Sequence, residues 1–141
     1  MITEDYISFE TTKLLKEKGF DIPCNAYFVE VEKETTKNKI KRRFCHSSVV
    51  ANRNAYKSEM ANHYYFSCPT LQMAMKWLFE KKNCIVLPVP RMFNSDGVCD
   101  EWGYNLWVDD NLEVDGSEDA YDTREEAENA GIEYCLKNII L

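Results

Sequence analysis

Cys45 and His46 stand side by side, and His63 follows further along the same half of the chain. A thiol with an imidazole within reach is the minimum for a nucleophile and its base, and a neighbouring cation such as Arg43 would lower the thiol pKa. Adjacent residues on a strand point to opposite faces, however, so Cys45 and His46 cannot pair by themselves, and the fold must bring His63 to them. The competing reading is a buried thiol beside a surface imidazole, and it is the one preferred. The same residues with Cys68 carry the ligand types zinc prefers. Their spacing follows no structural zinc pattern, and the chain contains no C-x-x-C.

Two further stretches carry chemistry-bearing residues. "NLEVDGSEDAYD" lines up with a twelve-residue calcium loop, with oxygens at Asn111, Glu113, Asp115, Asp119 and Asp122 and Gly116 at the sixth position. It departs from that pattern in having Asn at the first position, Glu118 where an apolar residue belongs, and Asp122 in place of the bidentate Glu. An acidic turn leading into a capped helix is the expectation, with no metal assigned. The second stretch is basic: residues 33–57 hold eight Lys and Arg against the single acid Glu34. Lys39, Lys41, Arg42 and Arg43 are the candidate anion-binding residues, with Phe44 and Tyr56 as aromatics that could stack on a base. A solvated hairpin is the simpler reading of this arm. Nucleic acid is disfavoured by the acidic balance of the whole chain, net −7; a smaller anion such as a nucleotide needs fewer cations. No glycine-rich phosphate loop, nucleophile elbow or H-E-x-x-H is present, which excludes dinucleotide-dependent and metalloprotease chemistry as motif readings, and no cofactor is expected.

These residues must be positioned by elements that the patterning indicates. Ser8 is a good N-cap for "FETTKLLKEK", and Gly19 followed by Phe20 signals its C-terminal stop. "NAYFVEVEK" and "KIKRRFCHS" alternate as two strands joined by the turn "ETTKN". Residues 47–62 fit neither period, and "YYFS" reads as a short strand. Pro69 is placed at the first position of a helix over 69–82, with Ser67 or Cys68 as cap. At the helical period Leu71, Met73, Ala74, Met75, Trp77, Leu78 and Phe79 spread over roughly 240°, more than a single sheet covers. Leu71, Ala74, Met75 and Leu78 are assigned to the sheet, and Met73 and Trp77 to an interface or pocket. "CIVLPVP" is a strand that Pro88 and Pro90 confine to an edge or a strand end. "EWGYNLWV" alternates cleanly, "NLEV" continues the meander, and Thr123 with Glu126 forms a capping box for the last helix.

The order α-β-β-x-α-β-β-α, with x the unassigned stretch, predicts an α+β fold. An antiparallel or mixed sheet would carry about three helices, in one globular domain over 1–141 with a basic hairpin or loop insertion at about 33–62. A length of 141 residues with 45% hydrophobic and 29% charged residues suits a folded domain that buries roughly two-thirds of its unfolded surface. It needs no disulfides, so the six cysteines are expected as thiols. The acidic opening "MITEDYISFE" lacks the pattern of a secretory leader, and no apolar run approaches the roughly 20 residues of a membrane span. A soluble, cytoplasmic protein without membrane association is the expectation.

Three blocks, "YISFETTKLLKEKGFDIPC", "CPTLQMAMKWLFE" and "YDTREEAENAGIEYCLKNII", resemble a family of short uncharacterised proteins encoded in phages and mobile elements of gut anaerobes. The resemblance implies a cytoplasmic accessory protein of a mobile element, a class rich in inhibitors and binding modules. It carries no activity and assigns no catalytic residue. Together with the overfull helix arc and the charge asymmetry, it favours a non-catalytic binding module, acting on a host protein or a small anionic ligand and able to form a homodimer. The alternatives are a small thiol-dependent enzyme using Cys45 with a histidine, and a nucleic-acid-binding protein acting through residues 33–57.

Overall fold

The structure is a computed structural model describing residues 5–32, 40–56, 63–117 and 119–140. The chain divides into two compact units, Tyr6–Pro69 and Met1–Asp5 with Thr70–Leu141, each built around its own three-stranded antiparallel sheet. The α+β class and the order of elements follow the expectation, and the antiparallel alternative is the one realised. Two sheets occur where one was anticipated.

In the first unit α1 spans Phe9–Glu17. Ser8 caps it by accepting the Thr11 amide at 3.3 Å. Gly19 closes it at φ 87°, with the Phe20 amide on the Leu15 carbonyl at 3.0 Å and the Gly19 amide on that of Lys16 at 3.1 Å, a Schellman stop. β1 (Cys24–Glu32) lies between β2 (Ile40–Ala51) and β3 (His63–Ser67). The turn "ETTKN" lies outside the described residues. α1 covers the sheet face that carries Phe28, Phe44 and Phe66. Phe9 meets Phe28 at 5.1 Å and Phe66 at 5.4 Å in edge-to-face contacts.

The unassigned stretch holds two features. The β1–β2 register passes from Ala26↔His46 to Cys24↔Ala51, so Ser47 to Val50 swell out opposite the single residue Asn25, a bulge of three extra residues. A 3₁₀ turn at Arg53–Ala55 follows. Residues 57–62 of this stretch lie outside the described residues.

In the second unit α2 (Leu71–Lys82) and α3 (Arg124–Asn138) accompany β4 (Cys84–Phe93), β5 (Cys99–Val108) and β6 (Asn111–Val114), paired in the order β4-β5-β6. α2 starts later than the proline suggested. Thr70 is the cap, its hydroxyl accepting the Met73 amide at 3.3 Å, while Cys68 is held to β1 by its amide on the Ala26 carbonyl at 2.9 Å. The Ser67 hydroxyl already accepts the Arg53 and Asn54 amides at 2.9 and 3.2 Å and Cys68 has no hydroxyl to offer, so the first side chain free to cap is Thr70.

Pro88 and Pro90 fall on β4, an edge strand, as their missing amides require. Thr123 caps α3 by accepting the Glu126 amide at 3.1 Å. α3 approaches the sheet closely at Gly131, where a Cβ would stand 2.5 Å from Val86 Cγ1 and 3.1 Å from the Tyr104 ring. Cys84, Val86, Tyr104, Leu106, Ala127, Ile132, Cys135 and Leu136 form the core around that contact.

Candidate functional site

The strand order fixes the fate of the thiol and the two histidines. Cys45 on β2 lies across from Tyr27, and Tyr27 across from Ser67 on β3; His63 begins β3 opposite Val31. β1 therefore separates Cys45 from His63, and the two stand four residue rows apart, roughly 13 Å along the strands before the lateral separation is added. His46 pairs with Ala26 and points to the opposite face from Cys45. Its ring meets Tyr6 at 6.4 Å. The three residues are not brought together. The cross-strand neighbour of Cys45 is Tyr27; burial first and the nearby thiol second raise the Tyr27 pKa.

The basic residues part in the same way. Arg42 is engaged on the α1 face: it pairs with Glu30 at 3.2 Å, and its guanidinium carbon lies 3.4 Å from the centre of the Phe9 ring. Arg43, one residue on, is exposed on the opposite face. Lys41 pairs with Val31 through the backbone, and Lys39 lies outside the described residues. Arg53, counted above within the basic arm, is only 5% exposed. It donates through Nη1 to the Cys24 carbonyl at 2.7 Å and through Nη2 to the Val49 carbonyl at 2.9 Å, and stacks on Tyr27 at 4.3 Å. This arginine ties the β2 bulge to the end of β1 and is a structural cation.

The described residues of 111–122 do not form a single loop. Asn111 and Glu113 are strand residues of β6, paired to β5. Asn111 donates to the Asp109 carbonyl at 3.3 Å, and Asp115 accepts the Ser117 amide at 3.0 Å within its own turn. The Gly116 amide is taken by Asn105 Oδ1 at 2.7 Å. Glu118 lies outside the described residues, and Asp119 and Asp122 lead into the α3 cap. Among the described residues no three His, Cys, Asp or Glu side chains come together in a way that could hold a metal ion.

On α2, Trp77 is 3% exposed, and Leu71, Ala74, Trp77 and Leu78 are the buried stripe at i, i+3, i+6 and i+7. The interface expectation is corrected for Trp77, because a side chain buried in its own chain offers no area to a partner. Met73 and Met75 are both half-buried, and Phe79 is the exposed aromatic of the helix.

An apolar row also lies on the β4–β5–β6 sheet. α3 covers the face of Cys84, Val86 and Tyr104, so the alternate residues face away from it. Ile85, Trp107 and Leu112 form one cross-strand row there, with Leu87 beside it on β4. Ile85 is 40%, Leu87 47% and Leu112 46% exposed, with Trp107 half-buried between them. The signal was present in "CIVLPVP". A strand with one solvated face should alternate with polar residues, and this one does not. The acidic residues Asp109, Asp110 and Glu113 stand exposed at the same end of the sheet.

Among the described residues no helix is long and apolar enough to cross a membrane. No protein-family model, curated protein or solved structure matches the chain.

Proposed function

We propose that the protein is a non-catalytic binding module that docks another protein on the open face of its β4–β5–β6 sheet. The observation that carries this reading is the row Ile85, Trp107 and Leu112 with Leu87, in which three exposed aliphatic side chains flank a half-buried tryptophan on one sheet face. The separation of Cys45 from His63 removes the geometric support for a thiol enzyme.

Charge selects the partner. The unit containing this sheet carries seventeen Asp and Glu against six Lys and Arg, a net of −11. Two copies meeting through this face would set like charge against like charge, which disfavours a homodimer here. A protein with an apolar patch rimmed by Lys and Arg fits it, and a host protein bound by a mobile-element accessory factor is the setting that the sequence resemblance suggests.

The test combines oligomeric state with capture. Light scattering at neutral pH should give a monomer, and affinity purification should retain a basic partner that Leu87→Asp loses while the exposed substitution Lys76→Gln keeps it. The same set of proteins recovered with wild type and Leu87→Asp would sink the reading. A stable dimer dissociated by Leu87→Asp would replace it with self-association.

A further inference from the structure

The other sheet has a face of different chemistry. α1 covers the side of Phe28, Phe44 and Phe66, and the opposite side carries Tyr27 and Val29 on β1, Arg43 on β2 and Tyr65 on β3. Arg43, Val29 and Tyr65 form one cross-strand row. Tyr65 is flanked by Tyr27 at 6.2 Å and by Tyr56 at 5.6 Å between ring centres. Tyr56 is 47% exposed, so part of the ring remains open to solvent. The face is only partly open: Val29 is 7% exposed and Tyr27 and Tyr65 are half-buried, while Arg43 and Tyr56 reach solvent on either side.

The two neighbouring arginines show why Arg43 differs. Arg42 is neutralised by Glu30, and Arg53 is buried on two carbonyls. Arg43 is exposed and makes no ion pair among the described residues. The unit as a whole, Tyr6–Pro69, carries eleven Lys and Arg against seven Asp and Glu, a net of +4. Its field attracts anions although the whole chain is acidic.

We infer that this face binds a mononucleotide, with the base stacked on the Tyr56–Tyr65 edge and the phosphate on Arg43. Arg43 and Tyr65 are separated by two strand spacings, roughly 10 Å between backbones. One exposed guanidinium matches one phosphate group, bound bidentately, and does not match the series of phosphates on a polynucleotide. Stacking on tyrosine supplies the second contact. The site lies on a different sheet from the protein-docking face, so either can fail without the other.

Isothermal titration calorimetry of the full chain at low ionic strength tests this with adenosine monophosphate, adenosine, inorganic phosphate and oligothymidylate as separate titrants. Adenosine monophosphate should bind about tenfold or more tighter than adenosine or phosphate alone, because each of these has only one of the two contacts. Arg43→Gln and Tyr56→Ala should each weaken it by on the order of tenfold. Lys76→Gln, in the other unit, should leave it unchanged, and thermal melts should confirm that all variants are folded. Absence of binding by adenosine monophosphate overturns the inference, as does wild-type affinity in folded Arg43→Gln. Oligothymidylate binding without mononucleotide binding also overturns it and points to single-stranded nucleic acid.

Discussion

Burial pushes the Cys24 thiol up to about 11 and that of Cys68 to about 12, and raises Cys84 and Cys135 as well. A thiol whose folded pKa lies above its ordinary 9.0 keeps its proton in the native state at a pH where the unfolded chain has lost it. The native state then binds more protons, so the associated stability is complete below pH 9 and declines as pH rises toward the folded value. Each such thiol should contribute a slope approaching about 1.4 kcal/mol per pH unit in that window. Urea unfolding between pH 8 and 11 should therefore show falling stability, and Cys68→Ala should flatten the decline; parallel curves for variant and wild type would rule the effect out. The same burial makes these thiols slow to alkylate. Iodoacetamide at neutral pH should modify Cys45 and Cys99 first, since these two are only half-buried. Arg53 makes the converse case. Removing its guanidinium leaves the Cys24 and Val49 carbonyls without their donor. Arg53→Met should cost about 2–3 kcal/mol in urea unfolding monitored by circular dichroism. A cost below about 0.5 kcal/mol would mean that water takes over both carbonyls.

At the scale of elements, the features legible in the sequence were those decided within one turn of chain. Ser8, Gly19 with Phe20, and Thr123 with Glu126 act on their own helix ends, and Pro88 and Pro90 act by lacking an amide, so each could be read without knowing what lies across the fold. The start of α2 could not, because the hydroxyl of Ser67 is taken by the amides of Arg53 and Asn54 on a distant turn. Nor could the burial of Arg53, whose acceptors lie on β1 and on the β2 bulge. The separation of Cys45 from His63 depends on β1 taking the central place in its sheet, a choice of pairing partner that periodicity does not encode. The apolar arc of α2 is wider than the face it buries for a related reason: Phe79 stays exposed and Met73 and Met75 half-exposed, so not every apolar side chain on the helix is covered. Gly131 shows how closely an element can be fixed by a neighbour. Its missing side chain lets α3 settle against Val86 and Tyr104, and a methyl group there would force the helix outward. Gly131→Ala gains about 1 kcal/mol of helix propensity but overpacks the contact, at about 1–3 kcal/mol. A net loss of stability is expected, with a lower urea midpoint by tryptophan fluorescence, since Trp77, Trp102 and Trp107 all belong to this unit. A midpoint higher than that of wild type would mean that the helix–sheet gap is looser than described.

Across the whole molecule, charge is divided between the units, +4 in Tyr6–Pro69 and −11 in the other, so the net charge of −7 describes neither. That division sets how the row of Ile85, Trp107 and Leu112 should behave as pH changes. At neutral pH every copy carries the same strong negative field around its open sheet face, and like charge opposes face-to-face association. The carboxylates responsible include Asp109, Asp110 and Glu113, all exposed. As pH falls toward the sequence isoelectric point of about 4.9, that field collapses while the apolar area is unchanged. Reversible self-association is therefore expected near pH 5 and should disperse again at pH 7, followed by light scattering. Salt at neutral pH should reproduce part of it, since the screening length shrinks to about 3 Å at molar ionic strength. Leu87→Asn removes an exposed apolar side chain from this face without changing net charge, so it separates the two contributions. If the face is the adhesive surface, the variant should scatter less at pH 5 and behave as wild type at pH 7. Equal association by variant and wild type at pH 5 would place the contact elsewhere, and the protein-docking role of the β4–β5–β6 face would lose its physical basis.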